Sequence, residues 1–149
     1  MQIKQQLFAH CQQYVNQRLE TISHAQSEIR QALDEETKST AGDKHETGRA
    51  MMQLEQEKLS VQMAEVQQLQ EVLNRTQLEG VPTGIGEGSL ALTNQGNYFI
   101  AISAGKLELA GQLYYLVSLA SPIGAALAGR KTGELVSFRG QDISILEVQ

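Results

Sequence analysis

Along the first half of the chain the hydrophobic residues recur every seven positions, with Gln, Glu and Lys between them. Phe8, Val15, Ile22 and Ile29 form one series; Met52, Leu59, Val66 and Leu73 form a second. Cys11, Ala25 and Ala32 occupy intermediate positions in the first, as Leu69 does in the second. A seven-residue repeat this narrow predicts two helices packed along a coiled-coil seam. The pairs 29/52, 22/59, 15/66 and 8/73 each add to 81, so one antiparallel register aligns all four layers. The pivot falls near Thr40 and Ala41, inside the turn-prone run Lys38-Ser39-Thr40-Ala41-Gly42-Asp43. The prediction is an intramolecular hairpin over residues 1–79, its first helix running from about Ile3 to Glu36, roughly 50 Å at 1.5 Å per residue. Two helices on a compact bundle, or a seam shared between two chains, are the alternatives, and the central turn favours the hairpin.

Near residue 80 the pattern changes. Residues 1–79 contain no Pro and only Gly42 and Gly48, whereas the other 11 of the 13 glycines and both prolines follow. The run Glu79-Gly80-Val81-Pro82-Thr83-Gly84-Ile85-Gly86-Glu87-Gly88-Ser89 predicts a Gly-rich linker over 80–88 or an irregular entry to a second domain over 89–149. Strand signals then alternate with turns: 89–93 and 98–103 around Asn94-Gln95-Gly96-Asn97, 106–109 and 113–118 around Ala110-Gly111-Gln112, and 135–138 and 143–148 around Arg139-Gly140-Gln141-Asp142. Ser121 and Pro122 read as N-cap and first residue of a short helix over 123–128, with Gly129 as its stop. The fold class is therefore α+β: a helical hairpin followed by a small antiparallel sheet with one short helix. About 60 residues is near the lower limit for independent folding, so this second domain should be modestly stable.

Composition narrows the function classes. With 41% hydrophobic and 19% charged residues the chain is neither disordered nor membrane-like, and no stretch approaches 18 apolar residues. A net charge of −5 argues against a general phosphate-binding surface. One cysteine, Cys11, excludes an internal disulfide, and the N-terminus has no apolar targeting segment; a cytoplasmic protein is expected. His10, His24 and His45 are too scattered for a metal set, and Cys11 on the seam reads as a small buried hydrophobe. Gly84-Ile85-Gly86-Glu87-Gly88 has no helix after it to receive a phosphate.

One concentration of charge stands out. Residues 34–46 carry Asp34, Glu35, Glu36, Asp43 and Glu46 against Lys38 and Lys44, three net negative charges at one end of the hairpin. Such an end would attract a metal ion or a basic channel. Asp43-Lys44-His45-Glu46 also has the spacing of a capping box, Asp43 as N-cap and Glu46 at N3, and acids there suit the helix dipole. Both roles are compatible.

Three features together resemble the GreA/GreB transcript cleavage factors of bacterial RNA polymerase. These are the hairpin followed by a β-rich domain, the tip Gly42-Asp43-Lys44-His45-Glu46, and the run Ser121-Pro122-Ile123-Gly124-Ala125-Ala126-Leu127-Ala128-Gly129-Arg130-Lys131-Thr132-Gly133-Glu134. The last follows the family's Ser-Pro-[Ile/Leu]-Ala-x-x-Leu-x-Gly-Lys-x-x-Gly-Asp pattern. The resemblance implies an FKBP-like second domain and a monomer that binds RNA polymerase, its hairpin in the secondary channel and its β domain on the channel rim through Ser121-Pro122. It implies that Asp43 shares a magnesium ion of the polymerase active site and that Glu46 positions the attacking water near the RNA 3′ end. The chain would then have no cofactor of its own and would stimulate the polymerase's hydrolysis of backtracked RNA without itself being an enzyme. Thr47 stands where the family usually has Asn, and no Tyr or Phe lies between Tyr14 and Tyr98. A Gre-like modulator or inhibitor without cleavage activity is the alternative, and a coiled-coil chaperone or interaction protein a further one. An FKBP-like prolyl isomerase has little support, since the β domain offers two Phe, three Tyr and no Trp.

Overall fold

Two long helices open the fold: α1 (Ile3–Lys38) and α2 (Asp43–Arg75). The computed structural model describes residues 3–38, 43–80 and 82–149, and of residues 43–46 the backbone only. The expected turn therefore lies outside the described residues, apart from its first and last. α1 runs two residues past its expected end, and that last turn is laced locally. The Thr37 hydroxyl donates to the Leu33 carbonyl at 2.9 Å, and Lys38 pairs with Asp34 at 3.4 Å. Contacts at either end fix the antiparallel course. Lys4 Nζ donates to the Leu78 carbonyl at 2.8 Å, and the Arg49 guanidinium donates to Thr37 Oγ1 at 2.7 Å.

The chain divides into two compact units, one of residues 15–70 and one joining residues 1–14 to 71–149. In the helical unit the layers 15/66 and 22/59 close as the heptads require: Val15, Ile22, Leu59 and Val66 are buried. Ile29 and Met52, the layer nearest the tip, are only half-buried. In the other unit Leu73 is buried, but its expected partner Phe8 is half-exposed and Leu7 and Cys11 are buried instead. The reason is a second neighbour. Here α1 also meets the sheet, where a hydrogen bond from the Ile102 backbone reaches the Cys11 sulfur, so the buried line turns around the helix.

The sheet strands are β1 (Leu90–Thr93), β2 (Gly96–Ala101), β3 (Gly105–Leu109), β4 (Gln112–Ser118), β5 (Leu135–Phe138) and β6 (Gln141–Val148), with α3 (Pro122–Leu127) between β4 and β5. The three expected hairpins form. Two turn on residues with positive φ at both central positions, Ala110-Gly111 and Arg139-Gly140, whose twist matches that of the flanking strands. The order across the sheet is β3-β4-β2-β1-β6-β5. β2 and β4 run parallel, Phe99 opposite Leu116, so the sheet is mixed rather than antiparallel throughout. Alternation along a strand shows which face is buried but not which strand lies beside it. That is why the parallel pair escapes a local reading.

Both faces of the sheet are covered. On one, Ile85, Ala91, Ile100, Val136, Ile143 and Ile145 pack with Leu127 of α3. On the other, Leu90, Phe99, Ala101, Tyr114 and Leu116 are buried as well. The ends of α1 and α2 supply the second cover, which is why this unit takes in residues 1–14 and 71–79 instead of standing alone as about 60 residues. The Gly-rich stretch belongs to it too. The Ile85 amide donates to the Arg130 carbonyl at 2.9 Å, the Gly129 amide to the Ile85 carbonyl at 2.8 Å, and the Gly88 amide to the Ile100 carbonyl at 2.7 Å. At Gly88, with φ +92°, a side chain would collide with the Gln77 carbonyl. Glycine is therefore needed here for close approach, and the stretch from Gly84 is packed structure, not a tether.

Candidate functional site

The tip is built from the ends of two helices. α2 begins at Asp43, which places positions 43 and 46 one turn apart in its first turn. Free amide groups and the helix dipole favour acids there. The side-chain roles expected for Asp43 and Glu46, in capping or in holding magnesium, lie outside the described residues. The surrounding positions are described. Asp34 and Lys38 are both exposed and paired along α1, so much of that acid's charge is locally balanced. Arg49 ties α2 to Thr37, and a Cβ at Gly48 would come within 3.1 Å of Glu36 Oε1. Sequence reading missed this lacing. Its only visible signal is that the one glycine described in α2 faces a glutamate on α1.

The second expected contact, Ser121-Pro122, is fully described. The Ser121 hydroxyl donates to the Ser118 carbonyl at 2.6 Å and accepts from the Gly124 amide at 3.1 Å. The Ser121 amide in turn donates to Ser118 Oγ at 3.2 Å. This hydroxyl is committed to holding the start of α3, with extended backbone at Ser121 (φ −68°, ψ 155°). Pro122 follows at the first helical turn and is exposed. A docking role for the pair would thus fall on Pro122, with Ser121 setting its position. Gly124 stands where the resembled pattern has Ala. Here it is buried against β4, and a Cβ would collide with the Ser118 carbonyl oxygen.

The remaining reactive groups are structural. Cys11 is fully buried, and desolvation pushes its thiol up to about 11 despite the hydrogen bond from Ile102. At neutral pH it carries essentially no thiolate and is a poor nucleophile. Lys4 is shifted down by burial while its ammonium donates to Leu78. Tyr98 stacks on Tyr115 with ring centroids 5.4 Å apart, and burial raises its phenol above the usual range. His24 pairs with Glu28 at 2.9 Å on an exposed face. Among the described residues no group of three or more His, Cys, Asp or Glu is placed to hold a metal ion. Nor is any described helix long and apolar enough to cross a membrane.

No protein-family model matches the chain, and no curated protein does. Among solved structures, that of the transcription factor Gfh1 aligns over 91% of this chain and 90% of its own, with 20% sequence identity and a TM-score of 0.36. A similarity of that size assigns no family.

Proposed function

We propose that the chain is a Gre-type elongation factor that binds bacterial RNA polymerase. In this reading the hairpin tip enters the secondary channel and stimulates cleavage of backtracked RNA. The observation that carries the reading is the start of α2 at Asp43. It sets two acids one turn apart beside the connection between two long helices, in a chain that also carries the Ser121-Pro122 helix start. Two carboxylates suit a hard divalent ion such as magnesium, which needs further oxygen ligands that the polymerase and water would supply. When bound, such an ion stabilises developing charge on the scissile phosphate. Asp43 would share its coordination, and Glu46 would orient the attacking water and accept its proton. The β unit would rest on the channel rim through Pro122.

The test is a transcript-cleavage assay on stalled elongation complexes, with binding to core polymerase measured in parallel. Asp43→Ala and Glu46→Ala should each lower stimulated cleavage by about a hundredfold or more, in line with loss of a metal or water ligand, and leave binding within a few-fold. Parent and Asp43→Ala proteins that cleave equally would refute the catalytic tip. Absence of binding would refute the polymerase reading altogether.

A second reading has its own support: a modulator that occupies the channel without promoting cleavage. Thr47 follows Glu46, and no aromatic lies between Tyr14 and Tyr98, so the tip lacks a side chain that the resembled factors usually bring. In the same assay this protein would bind, slow elongation and yield no cleavage product.

A further inference from the structure

α2 carries a second apolar stripe on the side away from its seam. Met51, Leu54 and Val61 are 67%, 65% and 59% exposed. Leu54 and Val61 are one heptad apart, as the buried Leu59 and Val66 are on the seam. Met51 lies on the same face, Lys58 fills the turn between Leu54 and Val61, and Ala50, Glu57 and Ala64 border the stripe. Long side chains lined up in this way on a solvated helix mark an interaction surface more often than chance exposure does.

We infer that this stripe is a two-fold interface with a second copy of the same chain, the two α2 helices crossing antiparallel about an axis between Glu57 and Lys58. The argument is self-complementarity, which an isologous interface demands. In that register Leu54 faces Val61 of the second copy, and Val61 faces Leu54 of the second copy. Lys58 faces Glu57 of the second copy, and the reciprocal pair forms across the axis. Met51 lies over Ala64 of the second copy, whose small side chain leaves room for it. A parallel pairing would set Lys58 on Lys58 and Glu57 on Glu57, and like charges oppose that arrangement. One stripe thus supplies both halves of its own complement. Its few large side chains fall short of the roughly 800 Å² per partner of a standard interface, so the dimer is weak and reversible.

The experiment is sedimentation velocity on the full chain at low salt over ~1 µM to ~1 mM, the range in which a sub-standard interface should dissociate. The weight-average mass should rise from monomer towards dimer. Val61→Glu should weaken the dimer by about tenfold or more, with helical circular dichroism unchanged because the site is exposed. Lys58→Glu and Glu57→Lys should each weaken self-association, an equimolar mixture of the two should restore it, and the double variant should dimerise like the parent. A chain that stays monomeric across the range overturns the inference. So does a dimer that Val61→Glu leaves intact, or single charge variants that fail to complement one another. None of these results depends on polymerase binding.

Discussion

Residues 15–70 and the unit built around the sheet solve the same problem, hiding apolar surface, with very different depth. The helical unit buries Val15, Ile22, Leu59 and Val66 among its described residues, two facing layers strung along one seam. The sheet unit buries large side chains on both faces, with Phe99, Ile100, Leu116, Leu127 and Ile145 almost wholly removed from solvent. In the seam each layer touches only the next, so a defect stays local. In the sheet unit every strand but the two edges is hemmed in by neighbours on both sides, and a defect spreads. A helical arm can therefore open by turns while the sheet holds, which is the division of labour expected of a probe mounted on an anchor.

The contrast can be broken first where packing is densest. Phe99→Ala should cost about 3–5 kcal/mol, lower the urea midpoint of the whole sheet unit, and raise amide exchange throughout β1, β2 and β4. Gly124→Ala should cost about 3 kcal/mol, because a backbone carbonyl rather than a flexible side chain stands in the way; near-ultraviolet circular dichroism and the urea midpoint would register it. Leu59→Ala should cost about 2 kcal/mol, the low end for leucine, since two helices can close on the gap. Exchange should then rise within residues 15–70 and stay unchanged in the strands. Equal acceleration in both units would refute the division.

The Cys11 thiol gives a milder and pH-dependent handle. Its folded pKa is raised from 9.0 to about 11, so the folded state holds the proton more tightly than the unfolded chain does. Its stabilising effect is complete below pH 9 and fades as pH rises towards 11, by about 2 kcal/mol in all. Urea titrations at pH 8 and pH 10.5 should show a steeper loss for the parent than for Cys11→Ala. Thiol reagents at neutral pH should label the parent only after denaturation.

What could be read in advance was whatever is encoded within a few residues. The Ser121-Pro122 start of α3, the Asn94, Gly111 and Gly140 turns and the heptad layers 15/66 and 22/59 each rest on local chemistry, and each stands where the pattern puts it. What could not be read depends on partners distant in sequence. The parallel pairing of β2 with β4 leaves no trace in either strand. The exchange of Phe8 for Leu7 follows from the sheet lying against α1, and the capture of the Gly-rich stretch follows from Ile85 finding a core far along the chain. At the candidate site the acids themselves were legible, as was the cap that orients Pro122. The bond from Arg49 to Thr37 was not, because it needs the relative rotation of two helices that heptads leave free.

The sheet unit is discontinuous in sequence, and that has a consequence for synthesis. Residues 15–70 are in effect an insertion within it, so residues 1–14 leave the ribosome long before residues 71–149 exist to pack against them. The helical arm can form as soon as its own two strokes are made. The anchor must wait for the end of the chain, then recruit a segment already bent into place by the hairpin, which shortens the loop it would otherwise have to close. A truncation that removed the last strand would thus leave the beginning of the chain, not only its end, without a home.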